Sequence, residues 1–242
     1  MIKNNNILFV VLTCDEYIKD RVFTIKKTWG KHVNVAYLSD TNIGDNVIGY
    51  DTPKNYDGIQ EKYYQFFLNY NFSKYEYFFF LDDDTFVNLD NLYKLELPNF
   101  NELFCIGREL HLTEDGKDKW GNYTGYPMGK IKNKNTELPL IYPSGGSGFI
   151  LSKNSVDKIQ EYLKKVKENR PISGHSDVSI GFWLRACQIP FVSCNKFWWD
   201  TPDNLIHNKW ERFDNNDDSI TFHYVKPHLM FFYHQKYNKN YV

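Results

Sequence analysis

The sequence predicts an α/β layered fold: a central, mostly parallel sheet flanked by helices. Three observations carry that reading. Two short runs, Ile7–Leu12 and residues 77–81, are wholly apolar, the pattern of strands covered on both faces. Stretches with helical spacing of apolar residues lie between the strand-like runs, and strands alternating with helices build parallel sheets. With 242 residues, 42% of them hydrophobic and 24% charged, the chain has an ordinary globular composition and a length that suits one large domain, expected to span residues 1–242.

The first strand, expected to reach Thr13, follows Lys3 and so bears a faint likeness to a secretory leader. The apolar run is short and lacks a small-residue cleavage site after it, so a buried strand is the better reading. It is also far too short to span a membrane, and a soluble chain is expected, with its compartment left open. A helical stretch through Arg21, Ile25 and Trp29 comes next, then a strand over 33–38. Residues 59–69 read as a helix with Tyr63, Phe66 and Phe67 on one face. The apolar strand at 77–81 runs straight into Asp82-Asp83-Asp84. Residues 111–139 form a polar stretch with little periodicity, and a loop of that length is usually functional or disordered. A glycine-rich segment over 142–149 leads to a helix over 154–167. A second helical pattern starts near Ser176 and runs through Ile180 and Leu184. A strand over 190–193 precedes an aromatic region with Trp198, Trp199 and Trp210, and a strand over 220–225 followed by a helix closes the chain.

Composition narrows the function. A net charge of −1 leaves no polybasic footprint for nucleic acid or an anionic membrane. Aromatic residues make up 18%, and such residues favour strands and build sugar-binding surfaces. The only alanines are Ala36 and Ala186, while Asn, Lys, Tyr, Phe and Ile abound. That bias reads as the signature of an AT-rich genome and lowers the weight of each aromatic. Among Cys14, Cys105, Cys187 and Cys194 no pair has metal-knuckle spacing, and four are too few to staple a fold of this size. Cys14 and Cys105 sit in apolar runs as core residues, and a bridge between Cys187 and Cys194 is left open.

The acidic triplet is the sharpest chemical feature. Three carboxylates directly after a buried strand gather negative charge at a sheet edge, where open α/β sheets bind ligands. Like charges so close are costly unless a cation or hydrogen bonds offset them, and hard oxygen donors suit Mg²⁺ or Mn²⁺ shared with substrate phosphates. Residues 142–149 hold three glycines within four positions, which lets backbone approach a ligand closely, although the segment fits neither a P-loop nor a dinucleotide fingerprint. Asp177, at an expected helix start, suits either a cap or a general base. His223, on the last strand, suits either a satisfied core residue or a metal ligand.

Taken in order, these segments resemble glycosyltransferase family 31, closest to its Fringe-like branch and the core 1 β-1,3-galactosyltransferases. Residues 80–87 (FLDDDTFV) resemble the family's Asp-x-Asp motif, 142–152 (YPSGGSGFILS) its glycine motif, 176–181 (SDVSIG) its late acidic motif and 222–225 (FHYV) the C-terminal His segment of the core 1 branch. Thr28-Trp29 after Arg21, and Lys62 before the triplet, also fit. The resemblance covers nearly the whole chain. It implies a GT-A fold and an inverting, metal-dependent β-1,3 transfer of a hexose or N-acetylhexosamine from a UDP-sugar to a glycan or glycoprotein hydroxyl. It also implies Asp84 and His223 as ligands of Mn²⁺ or Mg²⁺, and Asp82 as a contact to the nucleotide ribose or sugar. Asp177 is implied as the catalytic base. Thr13, Arg21, Lys62, Asp83, Gly145 and Gly146 fall in the implied donor pocket, and Trp198 and Trp199 are expected on the acceptor side. Two departures stand out: Ser176 occupies a position that is usually acidic in the family, and residues 199–219 form a short segment beside the core 1 enzymes. The rival reading is a non-catalytic carbohydrate- or nucleotide-sugar-binding module on the same fold.

Overall fold

The computed structural model describes residues 6–42, 44–54, 56–112, 140–170, 175–202 and 218–241, without the side chains of 56 and 57. The strands among them are β1 (Ile7–Leu12), β2 (Asn34–Ser39), β3 (Val47–Gly49), β4 (Tyr77–Asp82), β5 (Phe86–Val87), β6 (Cys105–Gly107), β7 (Glu109–Leu112), β8 (Leu140–Pro143), β9 (Phe149–Ser152), β10 (Phe191–Ser193) and β11 (Thr221–Phe222). The helices are α1 (Phe23–Lys27), α2 (Tyr56–Asn69), α3 (Leu89–Leu92), α4 (Lys153–Val166), α5 (Ser176–Ala186) and α6 (Pro227–Tyr237).

Seven strands form one sheet in the order β10-β6-β9-β4-β1-β2-β3. Every neighbouring pair is parallel except those made by β9, which runs antiparallel to both β4 and β6. The apolar strands are buried on both faces, as their sequences require. Phe78 and Phe80 of β4 join Leu8, Val10 and Leu12 of β1 on one face, against Phe66 and Phe67 of α2 and Ile159 and Leu163 of α4. Phe79 and Leu81 join Ile7, Phe9 and Val11 on the other, against Ile25 of α1 and Met230 and Tyr233 of α6. Small ribbons, β5 with β11 and β7 with β8, flank the sheet. No helix among the described residues is long and apolar enough to cross a membrane.

Three expectations change. The helical stretch after β1 is broken into a 3₁₀ turn at Asp15–Tyr17, a π turn at Ile18–Val22, α1 and a second 3₁₀ turn at Trp29–His32. Such π turns often mark functional sites, and this one carries Arg21 to the sheet edge while Val22, Ile25 and Trp29 stay buried. The closing strand is only Thr221–Phe222, because its sole ladder partner is the two-residue β5. His111 and Leu112 belong to β7, so the polar stretch begins at residue 113. Residues 113–139 and Trp210 lie outside the described residues. Cys187 and Cys194 are free thiols.

Candidate active site at the sheet edge

Strands β1, β2 and β4 run the same way, so Thr13, Asp40 and the triplet meet at one edge. Because β9 is antiparallel, its start lies at that edge too, with Phe149 level with Phe80. The glycine segment before β9 is thereby delivered beside Asp82–Asp84. It is a turn pinned from three sides. Gly148 donates to the Gly145 carbonyl (2.9 Å), Thr85 Oγ1 to the Gly146 carbonyl (2.7 Å) and Thr221 Oγ1 to the Ser147 carbonyl (2.7 Å). A cleft of about 860 Å³ opens at this edge, lined by all three Asp residues, Gly145, Gly146, Asp177 and His223.

Asp82, Asp84 and His223 bring one ligand atom each to within 4.8 Å of one another. His223 Nε2 lies 3.3 Å from Asp84 Oδ1 and 3.9 Å from Asp82 Oδ2. Burial pushes the Asp82 carboxyl up to about 7, against the pull of His223 and with added repulsion from Asp84, Asp83 and Asp177. Burial acts on Asp84 in the same direction, but His223 and Arg21 outweigh it and hold its carboxyl below the usual range. Burial opposes protonation of His223, yet Asp84 and Asp82 raise it overall. Two carboxylates and an imidazole converging on one point are the hard-oxygen and nitrogen set that Mn²⁺ or Mg²⁺ accepts. The triplet and His223 therefore meet, and Asp82, assigned by resemblance to the donor, stands with the metal-type ligands.

His223 is held on every side. Its backbone N–H donates to the Asp200 carbonyl (3.2 Å). Tyr224 stacks on it with ring centroids 3.7 Å apart. A Cβ at Gly146 would fall inside the imidazole, which explains a glycine there. At Gly145 a Cβ would lie 3.3 Å from that of Asp177. The two glycines thus make room for the two side chains of greatest chemical interest.

Asp177 sits in the first turn of α5, one residue past Ser176. Its Oδ1 accepts from the Val178 N–H at 2.8 Å and its Oδ2 from Gly145 at 3.4 Å. It is therefore both tied to its own helix and turned to the glycine loop. Burial raises its carboxyl pKa, against the pull of His175 and these N–H groups.

The rest of the expected donor residues form a closed network. Asp83 takes hydrogen bonds from Thr13 Oγ1 and Arg21 Nη1, both at 2.7 Å. Arg21 also reaches Asp84 at 3.3 Å and stacks on Tyr17 at 3.9 Å. Lys62 Nζ lies 2.6 Å from Asp40 Oδ1 and donates to the Thr13 carbonyl at 2.9 Å. Sequence reasoning missed Asp40, Asp15 and Tyr17, which also line the cleft. Asp40 had a usable signal, since it follows the end of β2 as the triplet follows the end of β4.

Trp198 requires a correction. Its side chain is 1% exposed, packed in the core with Phe197 and Phe222, so its ring has no face for a sugar. Its backbone N–H donates to the Thr221 carbonyl (3.2 Å) and its Nε1–H to the Thr201 carbonyl (3.3 Å), which hold the ring inside. Trp199 is half-buried and lines the cleft.

A family model described as Fringe-like matches residues 2–240, and the chain belongs to that family, as its likeness to glycosyltransferase family 31 implied. It is 25% identical over 167 residues to a glycoprotein-N-acetylgalactosamine 3-beta-galactosyltransferase 1 of Xenopus laevis, covering 66% of this chain and 39% of that protein. It is 25% identical over 165 residues to a beta-1,3-glucosyltransferase of Mus musculus, covering 65% of this chain and 29% of the relative. The match thus takes in less than half the length of either relative. Among solved structures, a glycosyltransferase involved in the glycosylation of the major capsid of PBCV-1 superimposes with a TM-score of 0.50 at 12% identity, covering 95% of this chain and 98% of that one. That likeness extends to the fold, which is of the GT-A type.

Proposed function

We propose that this Fringe-family chain is an inverting, metal-dependent β-1,3-glycosyltransferase, acting as one catalytic domain. It moves a hexose or N-acetylhexosamine from a UDP-sugar to a hydroxyl of a glycan or glycoprotein acceptor. The observation that carries the reading is the convergence of Asp82, Asp84 and His223 in the same cleft as Asp177. Asp84 and His223, joined by Asp82, would hold Mn²⁺ or Mg²⁺. When bound, the ion offsets negative charge that develops on the departing diphosphate. Thr13, Arg21, Lys62 and Asp83 give the nucleotide a wall that is set before it arrives, which lowers the ordering cost of binding.

Asp177 acts as the general base. It takes the proton of the acceptor hydroxyl, whose oxygen bonds to the anomeric carbon as the bond from that carbon to the diphosphate oxygen breaks. Attack from the side opposite the leaving UDP inverts the configuration. A base works best with a pKa drawn toward the working pH, and burial moves Asp177 in that direction. Trp199 is the aromatic left to face an acceptor sugar. The test is a screen of UDP-sugars with Mn²⁺, scored by UDP release with and without acceptor hydroxyls. Release from at least one donor that disappears in Asp177→Asn supports transfer. Binding of UDP with no release from any donor would leave a binding module instead.

A further inference from the structure

We propose that the outer face of α1 and α6 docks this chain on an anionic lipid bilayer. Phe23, Phe231 and Phe232 enter the hydrocarbon boundary, and the lysines around them meet the headgroups. None of these residues lines the cleft.

The two helices cover the same face of the sheet. They share one core through Ile25, Met230 and Tyr233, and they touch. On α6 the buried stripe is Met230, Tyr233, His234 and Tyr237, which turns Phe231 and Phe232 outward, 42% and 55% exposed. On α1, Thr24 and Ile25 face inward and Phe23 is 53% exposed. Apolar residues exposed singly need no explanation, whereas a gathering of them marks an interaction surface. Six large apolar side chains are exposed among the described residues, and four of them stand on α1 or within residues 224–232.

The net charge of −1 conceals a segregation. Residues 22–39 and 219–242, which hold the two helices, contain no Asp or Glu. They expose Lys27, Lys31, Lys226, Lys236 and Lys239. Lys27 Nζ lies 5.6 Å from the ring centroid of Phe23 and Lys236 Nζ 4.8 Å from that of Tyr237, so cations and apolar surface are interleaved. The acids at the border are Asp20 and Asp45, beside α1, and Asp90, which Asn240 hydrogen-bonds. Lysines set among large apolar side chains are what a membrane-surface element offers anionic lipid. A second copy is disfavoured, because a two-fold contact would set this cationic face against itself. A soluble polyanion would engage the lysines and leave the phenylalanines in water.

The test is flotation of the full chain with vesicles of phosphatidylcholine alone and of phosphatidylcholine mixed with phosphatidylserine. Wild type is compared with the double variants Phe231→Ser/Phe232→Ser and Lys27→Gln/Lys236→Gln. All the substituted side chains are exposed, so the three proteins should melt together. Wild type should rise with the serine lipid and not with phosphatidylcholine alone, and less so as salt is added. Partition onto the serine lipid should fall roughly tenfold or more without the two phenylalanines, and about fivefold for each lysine removed. Absence of wild-type flotation with the serine lipid would overturn the proposal. So would flotation that the phenylalanine variant leaves unchanged, which would mean a patch for any polyanion; titration with polyglutamate reads that case. A dimer in sedimentation velocity that the phenylalanine variant abolishes, without flotation, would assign the face to a second copy. Flotation needs no sugar donor, so it stands or falls separately from UDP release.

Discussion

The two banks of the cleft are built from the same residue types and differ in how their charges are settled. On one bank Lys62 meets Asp40, and Arg21 and Thr13 meet Asp83, all at hydrogen-bond distance. On the other, Asp82 and Asp84 converge on one histidine, Arg21 reaches Asp84 alone of the two, and Asp177 adds another carboxylate to the cleft. Adjacent positions of one triplet thus fall on opposite sides of the division: Asp83 is bound by Thr13 and Arg21, while Asp82 and Asp84 turn to His223 at the cleft. Carboxylates engaged by the fold position a wall, and carboxylates gathered on one imidazole form a set that a cation can share. Arg21 joins the banks by reaching both Asp83 and Asp84.

Substitutions on the two banks should fail in opposite ways. The largest effect is expected for Asp177→Asn, with kcat down by about 10²–10⁴-fold, the range of general-base catalysis. Stability should stay level or rise, because a raised carboxyl pKa means the ionised form costs stability in the fold; a melting curve beside the rate settles both. Lys62→Met on the closed bank should instead destabilise by about 3–5 kcal/mol, since it leaves the buried Asp40 charge without its partner. Urea titration of the ligand-free protein reads this, and a loss under about 1 kcal/mol would mean the pair is no structural element. Gly146→Ala should lower Mn²⁺ affinity about 10–100-fold with the fold intact, because the new methyl group displaces His223.

The smallest effect is a pH dependence. Asp82 has its pKa raised by burial to about 7, against roughly 3.9 in an unfolded chain. The stability contributed by its neutral form is therefore full below about pH 4 and lost as pH rises through about 7. Metal-free Asp82→Asn should melt higher than wild type above that range and together with it near pH 4. With 35% of the Asp82 side chain exposed, solvent screening trims this to a few degrees or less. Equal melting temperatures at alkaline pH would show that Asp82 carries no burial penalty.

Much of this was legible because it is local. The apolar runs announced β1 and β4, and the triplet after β4, the glycine segment and Asp177 each carried their own pattern. What escaped depends on contacts between distant segments. Nothing local tells Asp83 from Asp82 and Asp84, because the difference is made by Thr13 and Arg21, some 70 and 62 positions away. The role of Gly146 is invisible without His223. Trp198 and Trp199 are identical letters, and the first is tied inside by its hydrogen bonds to the Thr221 and Thr201 carbonyls. Helical spacing through Arg21, Ile25 and Trp29 concealed a π turn, since apolar periodicity reports a buried face and not the hydrogen-bond pattern beneath it.

If the open bank is a cation site, UDP and the metal bind there together. Isothermal titration of UDP into the wild-type chain, once with Mn²⁺ and once with EDTA, tests this directly, with Asp84→Ala as the paired variant. The prediction is UDP affinity strengthened by at least ~tenfold with Mn²⁺, about 1.4 kcal/mol of coupling, and no such gain in Asp84→Ala. Equal UDP affinity with Mn²⁺ and with EDTA would contradict it.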